Sequence, residues 1–158
     1  MQCMKSWGTS DRRVFVTLGD QVLEVLNDHV QRKDSDPESG GILLGHVRGE
    51  NLEILEATVP TIWDKRKRYF FGRMPFGHQL LADNRWTSSN GTVRYLGEWH
   101  SHPEDLPNPS QLDSIEWKKL ASNRKDARPL LALIVGRCGL YLELVSAAGN
   151  SIRLEHIE

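Results

Sequence analysis

The strongest constraint on the fold is the stretch Gly97-Glu98-Trp99-His100-Ser101-His102-Pro103, followed after a short gap by Pro109-Ser110-Gln111-Leu112-Asp113. The run Val93-Arg94-Tyr95-Leu96 ahead of it reads as a strand. Side chains alternate faces along a strand, so His100 and His102 are predicted on one side and Ser101 on the other. Pro103 has no N–H for the ladder and ends the strand. Pro109-Ser110 then opens a helical pattern, which puts Asp113 in the first turn of a helix, facing back toward the histidines. Two imidazoles and a carboxylate at such a junction suit a divalent zinc ion. Three protein ligands leave a fourth position for water, as in a catalytic rather than a structural zinc site.

Each part of this pattern has a plainer reading when taken singly. Ser110-x-x-Asp113 before an apolar helix is close to a capping box. A lone His-x-His pair is a weak signal. Hydrolysis of an amide also needs a base that takes a proton from water and gives it to the leaving amine. Glu38 is the candidate. It follows the polar breaker Lys33-Asp34-Ser35-Asp36-Pro37 and precedes Gly40-Gly41 and an apolar strand, Ile42–Val47. Pairing of that strand with Leu52–Val59, through a tight turn at Arg48-Gly49-Glu50, sets Glu38 at one end of a sheet. Ser110 is the candidate donor to the oxyanion that develops at the attacked carbonyl. Glu98 shares the histidine face, where it can orient His100 or rival Glu38 as base.

His100-x-His102, seven intervening residues and Ser110-x-x-Asp113 together resemble the JAMM motif of the JAB/MPN metalloprotease family. Glu38-Ser39-Gly40-Gly41-Ile42-Leu43-Leu44-Gly45 fits the upstream glutamate stretch of that family. The resemblance runs from about Phe15 to Val145, with one departure: many members carry an aromatic residue where this chain has Glu98. It implies an α/β fold of the MPN/JAB (cytidine-deaminase-like) type, a mixed central β-sheet flanked by helices. It also implies His100, His102 and Asp113 as zinc ligands, Glu38 as base and Ser110 as oxyanion donor. The implied substrate is the peptide or isopeptide bond after the C-terminal tail of a ubiquitin-like protein. The Gly-Glu-Trp-His-Ser-His-Pro form is more similar to bacterial JAB proteins, and most similar to the deconjugases of CBASS antiviral operons, which free a signalling nucleotidyltransferase from its conjugates. A processing peptidase for a ubiquitin-like or sulfur-carrier precursor is the alternative enzyme. A metal-free MPN scaffold is the alternative from another class, opposed by the presence of all five expected residues.

The rest of the chain sets the frame. Its 158 residues suit one domain, expected over residues 12–158 behind a flexible tail at residues 1–11. Lysine and arginine total 20 against 21 acids, so a nucleic-acid partner is not expected. Two distant cysteines, Cys3 and Cys138, make no disulfide framework, and the absence of a long apolar run points to a cytoplasmic protein without a membrane span. Val14-Phe15-Val16 reads as a strand and Asp20 as a helix cap. Val22, Leu23, Leu26 and Val30 form an apolar stripe. Lys65-Arg66-Lys67-Arg68 reads as a solvated loop or a docking patch for an acidic or extended polypeptide. A helix from Met74-Pro75-Phe76 is expected to bury Leu80, Leu81 and Trp86. His29, His46 and His78 are read as structural. Strands are predicted at Leu130–Val135, Leu140–Val145 and Ile152–Ile157. Glu104 and Asp105 either line the cleft or face solvent.

Overall fold

A computed structural model describes residues 5–158. Ten strands and three helices follow the order β1 (Lys5–Gly8), β2 (Phe15–Leu18), α1 (Asp20–Asp28), β3 (Gly40–Arg48), β4 (Asn51–Ala57), β5 (Lys65–Lys67), β6 (Phe70–Gly72), α2 (Pro75–Ser88), β7 (Arg94–Ser101), α3 (Gln111–Ser122), β8 (Leu130–Val135), β9 (Leu140–Val145) and β10 (Ser151–Ile157). The sheet is mixed, as expected, but it is not open. It closes into a barrel in the order β1-β10-β9-β8-β7-β3-β4-β2, with β5 and β6 forming a separate hairpin. Only β2/β4 and β7/β8 pair in parallel.

Closure depends on the segment expected to be a tail. Residues 1–4 lie outside the described residues, and Lys5–Gly8 is a strand that pairs with both β2 and β10. Trp7 is buried there, which gives this otherwise polar stretch its anchor. One core takes side chains from every barrel strand, among them Trp7, Val16, Leu43, Ile54, Leu131, Leu142 and Leu154. Helix α1 adds Val22 and Leu26 to it, with Leu23 and Val30 partly buried alongside, as the apolar stripe predicts. The cap differs: Gly19 is the N-cap, and Asp20 is the first helical residue, where its charge favours the helix dipole.

The other face of the sheet carries α2 and α3. Trp117 and Ala121 of α3 pack over Leu130, Ala132 and Ile134 of β8. Helix α2 turns a different face inward from the expected one. His78 and Ala82 are buried and Leu81 partly so, while Leu80 and Trp86 are half exposed. Polar anchors set this rotation. Arg85 makes two bonds to Glu56, and His78 lies between Thr58 Oγ1 and Asp64 Oδ2, 2.7 Å from each. The structural reading of His78 holds, since its side chain and that of Asp64 have no exposed surface.

Candidate metal centre

Strand β7 brings the imidazoles to the site. It pairs with β3 on one side, with Gly40 opposite His100, and with β8 on the other. A register shift between Leu43 and Leu44 of β3 bulges the ladder around Leu96. Tyr95 and Glu98, three residues apart, thereby reach the same face. Beyond the bulge strict alternation returns, and Glu98, His100 and His102 all line one cleft of about 730 Å³. Ser101 points to the opposite face and is fully buried. His102 lies just past the strand but continues its pairing, with its N–H donating to Val135 O at 3.0 Å.

Helix α3 supplies the carboxylate. Ser110 is its N-cap, and Ser110 and Asp113 form a complete capping box. The Asp113 N–H donates to Ser110 Oγ at 3.1 Å, and the Ser110 N–H donates to Asp113 Oδ2 at 2.8 Å. Capping and site-building coexist here, because the same carboxylate reaches the histidines. Asp113 Oδ1 is 3.4 Å from His100 Nε2 and Oδ2 is 3.2 Å from His102 Nε2. The two Nε2 atoms are 3.0 Å apart. Among the described residues, His100, His102 and Asp113 are the group able to hold a metal ion. Their spacing can be tested against zinc. Ligand bonds of about 2.0–2.1 Å in a tetrahedron place neighbouring donor atoms about 3.3 Å apart; the imidazole nitrogens and the nearest Asp113 oxygen to each lie close to that spacing, one oxygen facing His100 and the other His102. Two imidazoles and a carboxylate are also a fitting donor set.

The surroundings favour a cation. His102 Nδ1–H donates to Glu104 Oε1 at 2.8 Å, which turns the Nε2 lone pair toward His100 and Asp113. Burial pushes Asp113 upward, but the neighbouring imidazoles of His100 and His102 outweigh it and hold the carboxyl well below its usual range. Burial lowers His102, and the adjacent Asp113 carboxylate reverses this and raises it. The Trp117 ring packs 5.9 Å from that of His100.

Glu38 stands in the loop before β3 and lines the same cleft as the three ligand candidates and Ser110. It is buried, and burial pushes its carboxyl up to about 7, against the pull of His102 and with the push of Asp113 and Glu104. Glu98 is not turned to His100. Its carboxylate accepts two bonds from Arg73, at 2.7 and 2.9 Å, and one from Tyr95 Oη at 2.8 Å. The orienting role expected of Glu98 thus has its counterpart in Glu104, on the other histidine. Two further residues had no clear signal in the sequence. Arg66, inside the basic run, lies on β5, and Arg73, 25 positions from Glu98, directly follows β6. The basic run forms the first strand of a hairpin rather than a loop; Lys65, Arg66 and Lys67 are all exposed, and the Arg66 guanidinium reaches Glu38 O and Ser39 Oγ.

The chain matches, over residues 20–150, a family described as prokaryotic homologues of the JAB domain. It is 54% identical, over all 158 residues and the whole length of both chains, to a Pseudomonas aeruginosa protein named CD-NTase/cGAS isopeptidase. Proteins of the same name from Vibrio cholerae and Escherichia coli are 37% and 36% identical, covering 82% and 80% of this chain and 80% of each relative. A Desulfitobacterium hafniense protein of known solution structure shares the fold, with a TM-score of 0.59 and 23% identity over 90% of both chains. Among the described residues no helix is long and apolar enough to cross a membrane.

Proposed function

The chain belongs to the prokaryotic JAB-domain family, and from that premise we propose that it is a zinc-dependent isopeptidase. Its substrate is the bond that follows an extended C-terminal tail. The tail is that of a ubiquitin-like protein or, as the name of its relatives suggests, of a CD-NTase conjugated in the same manner; a CBASS antiviral system is the setting that the sequence resemblance implies. The observation that carries this reading is the convergence of His100, His102 and Asp113 in one cleft with a buried Glu38 that is not part of the ligand group.

His100, His102 and Asp113 would hold the zinc ion. Bound there, zinc polarises the scissile carbonyl and lowers the pKa of water toward neutrality. The chain's own groups do the rest. Glu38, buried in the same cleft and outside the ligand group, would take a proton from the attacking water and pass it to the leaving amine. The Ser110 hydroxyl accepts the Asp113 N–H and keeps its own O–H to donate to the developing oxyanion. Glu104 holds His102 in the tautomer that presents Nε2. Arg73 and Tyr95 keep Glu98 engaged, which leaves Glu38, among the described residues, as the buried carboxylate of the cleft without a hydrogen-bond partner.

The test is zinc content and turnover on a CD-NTase conjugate, with matched isopeptide-linked and linear fusions. Glu38→Ala is expected to retain zinc and lose hydrolysis of both, and His100→Ala to lose both metal and hydrolysis. Faster cleavage of the linear fusion would favour a processing peptidase. Turnover indifferent to chelators would overturn the assignment.

A further inference from the structure

The main chain at Glu38 is tied on every side while its carboxyl is left alone. The Glu38 N–H donates to Lys67 O at 2.7 Å, and Glu38 O accepts Arg66 Nε–H at 3.0 Å. The Ser39 N–H donates to Ser101 Oγ and Ser39 O accepts the Ser101 N–H, both at 2.8 Å. Arg66 Nη2 also donates to Ser39 Oγ at 2.6 Å. Among the described residues, the Glu38 carboxyl makes no hydrogen bond of its own. Behind this cluster sits Gln31, only 1% exposed. It accepts the Ser101 hydroxyl at 2.8 Å and donates to Asp36 O at 3.1 Å and to Arg68 O at 2.9 Å.

An amide is seldom fully buried, and burying one is costly unless its bonds are made. All the bonds of Gln31 go to segments that flank Glu38: the loop before it, the β5–β6 hairpin, and Ser101, which in turn holds Ser39. Ser101 stands between His100 and His102. One residue therefore registers the strand of the ligands against the loop of the base. The hairpin supplies the other ties through Arg66 and Lys67.

We propose that Gln31 and Arg66 are positioning residues for Glu38, fixing its carboxyl relative to His100 and His102, with Arg66 linking that position to the β5–β6 hairpin. The proposal rests on the reading of Glu38 as the proton carrier. Displacing a reacting group by about 1 Å costs on the order of a hundredfold in rate, so loss of these ties should lower kcat rather than raise KM. Gln31→Met keeps the volume and removes the bonds. Arg66→Ala removes the hairpin tie, and Arg66→Lys keeps part of it.

The experiment measures zinc per chain, kcat and KM for each variant, alone and combined with Glu38→Gln, in single-turnover assays at high enzyme concentration. Expected are full zinc content, kcat lowered roughly 10- to 100-fold with KM nearly unchanged, partial recovery in Arg66→Lys, and little further loss on the Glu38→Gln background. Losses that multiply onto that of Glu38→Gln, or that fall on KM alone, would overturn the proposal. If Gln31→Met does not fold, Arg66→Ala, at the edge of the cluster, decides alone. Undiminished turnover in Glu38→Gln by itself would instead remove Glu38 as proton carrier, and the proposal with it.

Discussion

His102 Nδ1 lies 2.8 Å from a carboxylate oxygen of Glu104, in the turn just past the strand that carries both imidazoles. This bond selects the tautomer whose Nε2 is free to ligate. Removing such an outer partner typically weakens metal affinity by about 10- to 100-fold. The Glu104 side chain is nearly half exposed, so water can replace it in part, and Glu104→Ala is expected near tenfold. Competition with a chromogenic chelator measures the change. Glu104→Gln, which still accepts the Nδ1–H, should lose less. Equal affinity in Glu104→Ala and the parent would show that the bond does not orient His102.

The capping role of Ser110 and its proposed oxyanion role can be split. As N-cap its side chain contributes about 1 kcal/mol against alanine, but glycine at an N-cap costs only a few tenths. If it is also the proposed oxyanion donor, its loss costs on the order of 100- to 1,000-fold in turnover. Ser110→Gly is therefore expected to unfold in urea close to the parent while losing at least about a hundredfold in kcat, and Ser110→Ala to lose in both. A Ser110→Gly variant with parental kcat would reduce Ser110 to a helix cap.

The site was more legible in the sequence than the fold around it, for a physical reason. His100 and His102 sit two apart in a strand, and Asp113 sits at a fixed place in a helix start, so local periodicity places them. Barrel closure depends on Lys5–Gly8 reaching β10, a pairing across nearly the whole chain. With Trp7 the one large buried side chain in that strand, no alternation announces it. The partner of Glu98 was hidden in the same way, because Arg73 arrives from just past a separate hairpin. Alternation also fails at the bulge near Leu96, so Tyr95 could not be placed on the Glu98 face from spacing. The inward face of α2 does not follow its apolar residues because polar anchors at His78 and Arg85, rather than Leu80 and Trp86, set its rotation.

The Arg73–Glu98 pair predicts a stability effect separate from the chemistry. Glu98 is buried, with only 10% of its side chain exposed. Burial raises its carboxyl, and the pairing with Arg73 opposes this. Breaking a buried pair by removing one partner costs about 3–5 kcal/mol, whereas replacing both can be nearly neutral. Arg73 keeps some exposure, so Arg73→Met is expected at the lower end, about 3 kcal/mol by urea unfolding. Arg73→Met combined with Glu98→Gln should recover much of the loss. A double variant as unstable as Arg73→Met alone would show that the cost lies in packing of the hairpin, not in the stranded charge.

The pH dependence of stability has a marker remote from the candidate metal centre. Glu143 on β9 is buried beneath α3, and burial raises its carboxyl, resisted by the Tyr141 hydroxyl that donates to it at 3.2 Å and by Lys118. Burial likewise pushes the Tyr141 phenol up to about 12, so it remains a neutral donor. A carboxyl raised in the folded state binds its proton more tightly there than in the unfolded chain. Its contribution is fully present below the unfolded value of about 4.3 and is lost as pH rises through the higher folded value. Glu143→Gln mimics the protonated form at every pH and still accepts the Tyr141 hydroxyl. The variant should therefore match the parent near pH 4 and exceed it in stability at pH 7, with the gap opening across that interval in urea unfolding. A gap that stays constant from pH 4 to pH 7 would show that Glu143 titrates alike in the folded and unfolded chain.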